Sequence, residues 1–275
     1  MSKNKKTAEK AVDKTKKRNK KTRGIGGKIV TAILVLIGIF ACLTALLNFI
    51  TCKSLIKTAT SFSAVENKNM LKPEFVKGNA VYTSDRELKI CDFSDIHISS
   101  GILTLKEDKA AIIKIAETIT KEKPDLVILS GDVNLVNNHI SGTFNNRYTA
   151  RIIVKLMETL QVYWAPTFNN KDSDLFTLFD SEAIAKYMSH KNTEYSVYTV
   201  RKMTAKDYGN YKITVNNSDH NLIQGLVILD SHSYIQSQLL TKTEKSEFNK
   251  DNWKDKAVEE ALKKNPDAVI LSFPS

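Results

Sequence analysis

Residues 124–132 read PDLVILSGD, and the fold is decided there. Pro124-Asp125 punctuates the chain, residues 126–129 form a short, wholly apolar strand, and Ser130-Gly131-Asp132 closes it with a turn signal. A strand with no polar face belongs in a parallel sheet, where crossover helices cover both sides. The neighbouring sequence supplies those crossovers. Upstream, residues 88–93 (LKICDF) alternate like a strand, and residues 103–121 place Ala111, Ile112, Ile115, Ala116 and Ile119 on one helical face. Downstream come a second amphipathic helix over 148–160, a strand over 162–165 (VYWA) and a third helix over 174–188. Alternation at this spacing predicts βαβ units and an α/β fold.

Further along, residues 195–200, 211–215 and 226–229 read as consecutive strands of an added antiparallel region. A helix is expected over 253–264 and a last strand over 267–273. Residues 51–86 mix Lys, Ser, Thr and Asn with scattered apolar positions and read as a stalk leading into a first strand.

Residues 29–50, IVTAILVLIGIFACLTALLNFI, contain no charge, and only Thr and Asn interrupt their apolar character. As a helix this run is roughly 33 Å long, enough for a hydrocarbon core of about 30 Å. A cleaved signal peptide has a shorter apolar region, about 7–15 residues, and a small-residue cleavage site that this run lacks. The dense Lys/Arg block before it predicts a cytoplasmic N-terminus, with the rest of the chain outside. The expected organisation is a basic cytoplasmic segment over 1–28, a transmembrane helix over 29–50, stalk and first strand over 51–86, and a domain over 87–275.

The net charge of +11 is concentrated in that first segment. Residues 1–28 hold twelve Lys/Arg against Glu9 and Asp13, so the remainder carries only +1. Nucleic-acid binding would put the basic excess on the folded part, so no nucleic-acid partner is expected. The expected partners are the bilayer, through residues 29–50, and a small ligand. Cys42, Cys52 and Cys91 give an odd count without CxxC spacing, hence neither a disulfide framework nor a structural zinc site.

In α/β sheets, ligand sites form beyond the carboxyl ends of the strands. The first predicted strand runs into Asp95 and His97, two residues apart; in extended backbone they project to one side. Carboxylate and imidazole together suit Zn, Fe or Mn. The second strand ends at Asp132, and the third is followed by Asn169-Asn170-Lys171-Asp172. Among the other histidines, His139 lies seven residues past Asp132 in a loop that folding could bring over the site. His190 and His220 read as solvated loop residues, and His232, at a strand end, as structural or substrate-side.

SDIH (94–97), PDLVILSGD (124–132) and FNNKDSD (168–174) resemble, in order, the D-x-H, G-D and G-N-H-D blocks of calcineurin-like metallophosphoesterases. YGNYKITV (208–215) and LVILDSHSY (226–234) resemble the branch related to purple acid phosphatases. The resemblance implies a sandwich of β-sheets flanked by helices, over roughly residues 86–275. It also implies Asp95 and His97 on a first metal, Asp132 bridging two metals and Asn170 on the second. Two Mn, Fe or Zn ions about 3.5–4 Å apart would activate water and hold the phosphate oxygens for in-line attack. Lys171 stands where the family has the histidine that assists the leaving group. The strand ending Phe273-Pro274-Ser275 lacks the family's next histidine, and the final Gly-His-x-His block is not present. The first metal then keeps three protein ligands and the second keeps two.

The implied activity is hydrolysis of a phosphate ester outside the membrane by a tethered domain. Two other readings stand beside it. One is a non-catalytic relative that binds a metal or a phosphorylated ligand. The other is a shortened product of a longer gene, with an open sheet edge.

Overall fold

A computed structural model describes residues 2–130, 133, 141–168, 177–200, 211–229, 263 and 269–272, with backbone alone over 2–26. It divides into two units, Met1–Leu47 and Asn48–Ser275.

The first unit lies wholly in helix α1 (Ser2–Ala59). Its apolar side chains face outward all round the helix, with Leu36 64% and Phe40 72% exposed. Gly27–Ala59 contains the one stretch among the described residues long and apolar enough to cross a membrane. The hydroxyls of Thr31 and Thr44 donate to the carbonyls of Gly27 and Phe40 at 3.0 and 2.9 Å, so these polar breaks are satisfied within the helix.

The second unit begins inside the same helix. Asn48, Thr51, Cys52, Leu55 and Ala59 are all buried. Their spacing of three to four residues is one helical face, turned into the core. Residues 51–86 are therefore not a free stalk: they comprise the end of α1 and strands β1 (Glu74–Val76) and β2 (Asn79–Thr83), and add Val65, Ala80 and Tyr82 to the core. Polar composition hid this, because the buried face needs only one residue in three or four.

Strands β3 (Ile90–Ser94), β4 (Leu126–Ser130) and β5 (Trp164–Pro166) form a parallel three-stranded sheet with β4 in the middle. All five residues of β4 are buried, as its apolar sequence predicts. Helices α2 (Leu105–Glu122) and α3 (Asn146–Leu160) make the crossovers. Ile112, Ile115, Ala116 and Ile119 of α2 are buried, and so are Ile152, Ile153, Leu156, Met157 and Leu160 of α3. Each helix stops at a left-handed residue, Lys123 or Gln161, which turns the chain back toward the sheet. Helix α4 (Ser181–Met188) is shorter than the expected 174–188, because Asp180 caps it by accepting from the Ala183 amide at 2.8 Å.

A second sheet has the order β1-β2-β6-β7-β8, with β6 (Tyr211–Asn216), β7 (Leu222–Leu229) and β8 (Val269–Ser272). It is mixed: β2 pairs parallel with β6, β6 antiparallel with β7, and β7 parallel with β8. Residues 195–200, expected as a strand, make only a single bridge, Ser196 beside Trp164. The expected helix over 253–264 falls almost wholly outside the described residues. Side chains of both sheets share one core, and the Tyr211 hydroxyl donates to the Pro166 carbonyl at 2.6 Å, joining β6 to β5.

At the amino-terminal edge of the parallel sheet, Asp125 ties its own strand to two other chain segments, one at Leu71 and one over 86–89. Arg86 holds both carboxylate oxygens at 2.7 Å, and the amides of Leu71 and Lys89 each donate at 2.9 Å. Burial pushes this carboxyl up, but the Arg86 fork and the two amides outweigh it and hold the group below its ordinary value of 3.8. A depressed carboxyl contributes stability above its unfolded pKa and loses it as pH falls through the folded one. Arg86→Ala should cost about 2 kcal/mol at neutral pH, less than a fully buried pair because Arg86 is 44% exposed. Denaturation of the full chain in detergent should show the gap to wild type closing as pH falls below 3.8. A pH-independent gap would contradict this assignment.

Candidate functional site

Parallel pairing sends the chain out of β3, β4 and β5 at one edge. Ser94 lies beside Ser130, and Leu129 beside Pro166, so the segments starting at 95, 131 and 167 leave adjacent strand ends. Asp95 and His97 follow β3 directly and are both exposed. Asp132, Asn170 and Lys171 lie outside the described residues, as do His139 and His232.

The backbone at Asp95 and His97 corrects one expectation. Both residues have positive φ, 51° and 53°, so the segment is a left-handed turn and not extended strand. Common projection therefore does not follow from their two-residue spacing. Asp and His are among the residue types that tolerate this conformation best, and such strained backbone persists only where its surroundings enforce it.

The enforcing contacts come from three neighbouring elements. Asp108 of α2, only 2% exposed, accepts from the amides of Ser99 and Ser100 at 3.1 and 2.8 Å and from the Thr104 hydroxyl at 3.0 Å. Thr149 of α3 donates to the Ile98 carbonyl at 3.0 Å. The Ile98 amide donates to the carbonyl of Val133, beyond β4, at 3.1 Å. Gly101 then passes so close to residue 141 that a Cβ would sit 1.8 Å from the Ser141 oxygen, so only glycine fits. Asn48 of α1 closes the frame: its amide donates to Gly142 at 2.7 Å, and its oxygen accepts from the Ile102 amide at 3.1 Å.

Asp92 is a carboxylate at this edge that sequence reasoning passed over. It is exposed on β3, and the buried Ser130 hydroxyl donates to it at 2.5 Å across the strand pair. Its position two residues before Ser94 on an alternating strand was the available signal. Among the described residues, no three His, Cys, Asp or Glu side chains come together as a metal site. The described donors at this edge are the Asp92 and Asp95 carboxylates and the His97 imidazole.

The remaining histidines have ordinary surroundings. His190 stacks on Phe75 at 3.8 Å and places Nδ1 3.1 Å from the Ser196 oxygen. His220 is exposed in the β6–β7 turn with φ of 62°. Comparison of the chain with family models, curated proteins and solved structures finds no match.

Asp108 holds the backbone at Ser99 and Ser100 by hydrogen bonds from inside the protein. Burial pushes its carboxyl up; the Ser99, Thr104 and Ser100 bonds oppose this, and Glu107 adds to it. A raised carboxyl gives stability below its unfolded pKa and loses it as pH rises through the folded value. Asp108→Ala should cost about 2 kcal/mol near pH 3.8, with a smaller gap at higher pH. Hydrogen exchange should show the Ser99 and Ser100 amides losing protection. Unchanged protection there would exclude this role.

Proposed function

We propose that the chain is a membrane-tethered, metal-dependent phosphoesterase whose domain works outside the membrane. The observation that supports it most is the parallel register of β3, β4 and β5, which puts the carboxyl ends of the three strands that precede Asp95, Asp132 and Asn170 in sequence along one sheet edge. In this reading the carboxylates of Asp95 and Asp132, the imidazole of His97 and the amide oxygen of Asn170 hold Mn, Fe or Zn. Metal bound there would polarise the phosphate oxygens and activate water. Asp108, Thr149 and Val133 orient the DIH turn, and Lys171 offers positive charge to the leaving oxygen.

An ammonium with a pKa near about 10.4 stabilises charge but donates protons poorly at neutral pH. Slow turnover follows. The same substitution favours the second reading, a domain that binds one metal or a phosphorylated ligand without hydrolysing it. The basic block over 1–28 supports a cytoplasmic N-terminus under either reading.

The test uses the full chain in detergent, since Asn48, Thr51 and Cys52 are part of the second unit's core and a fragment starting later would lose them. Calorimetric titration with Mn and Zn, alongside p-nitrophenyl phosphate hydrolysis, should give metal-dependent turnover. Asp95→Ala, His97→Ala and Asp132→Ala should each reduce it on the order of 100-fold. One bound ion without turnover supports the binding protein. Metal affinity unchanged by Asp95→Ala and His97→Ala rules out this site.

A further inference from the structure

The second unit exposes several large apolar side chains close together. Ile102 is 36% exposed, Leu103 64%, Phe144 40% and Leu178 67%. Three contacts bring them to one place. Gly142 lies against both Ile102 and Leu103, whose side chains would be 3.6 Å from a Cβ built there. Phe144 is two residues beyond Gly142, and its carbonyl accepts from the Leu178 amide at 2.9 Å. Asn48 bonds both Gly142 and Ile102, so the patch adjoins Asn48.

Asn48 is also where the apolar run 29–50 enters this unit, and Phe49 and Ile50 beside it are 41% and 54% exposed. A contiguous apolar surface on a folded domain marks an interaction site. Here its position names the occupant: a patch adjoining the last turn of a membrane-spanning run meets the bilayer interface. Cations accompany it. Lys53 lies over the Phe49 ring at 4.6 Å, and Arg147 lies over Phe179 and Tyr187 at 5.3 and 5.1 Å. Such side chains keep their charge at headgroup level above a buried apolar body.

We infer that Ile102, Leu103, Phe144 and Leu178 form a collar that inserts into the outer leaflet's interfacial region around the end of the membrane helix. The inference rests on residues 29–50 crossing the bilayer. It holds the domain against the lipid surface.

The test reconstitutes the full chain into vesicles of phosphatidylcholine and phosphatidylglycerol containing brominated acyl chains. Leu103→Trp and Leu178→Trp report insertion, and Lys212→Trp, at an exposed position on β6, is the control. The emission added by the Trp at position 103 or 178 should be largely quenched by the brominated lipid and protected from aqueous iodide, with the opposite at position 212. Iodide quenching without lipid quenching at both 103 and 178 overturns the collar, and so does equal lipid quenching at position 212. Alkaline carbonate extraction of the same vesicles separates the two claims. Release of the chain refutes the anchor itself, whereas a retained chain with iodide-accessible collar positions refutes only the collar.

Discussion

Three parallel strands with the middle one covered on both faces are the constraint on which the rest depends. Because β4 has no polar face, it cannot lie at a surface; the crossover helices α2 and α3 bury apolar faces in its core, and side chains of the second sheet share that core. Parallel pairing then leaves no choice about direction: each crossover runs from the carboxyl edge back to the amino edge. The two edges are built differently. The amino edge is closed by a salt bridge and two amide bonds on Asp125. The carboxyl edge holds exposed acidic and imidazole side chains in a left-handed turn.

Strain at that turn is borne by buried polar groups. Asp108, Thr149, Ser99 and Ser100 are almost wholly out of solvent, and their bonds run to backbone atoms of residues 98–100. Burying a carboxylate without a cation is costly unless several donors meet it, and here three do. Asn48 extends the same frame to α1, so the helix that carries the apolar run also braces the loops after β3 and β4. From Asn48 onward, the end of α1 belongs to the same unit as the three parallel strands.

Much of this was legible in the residues. Leu126 to Leu129 announced a covered parallel strand, and the spacing of Ile112, Ile115 and Ile119 announced the helix that covers it. The fold class and the apolar helix followed from those patterns. The buried face of residues 48–59 did not, because Asn48, Thr51 and Cys52 carry no periodic apolar signal and reveal their burial only through tertiary partners. Residues 95–97 were read as extended, and their positive φ is not visible to local spacing; the adjoining residues 98–100 are held by Asp108 and Thr149, eight to 51 residues away in sequence. Residues 195–200 alternate like a strand yet find one bridging partner, since β5 is only three residues long.

The central claim is that donors from separate loops converge at the carboxyl edge of β3, β4 and β5 to hold a metal. Anomalous diffraction at the manganese edge, from crystals of the full chain grown with Mn, measures that most directly. The account predicts a peak within bonding distance of Asp95 and His97, on the side where the chain leaves β4. A peak elsewhere, or none beside a well-ordered Asp95 and His97, would contradict it.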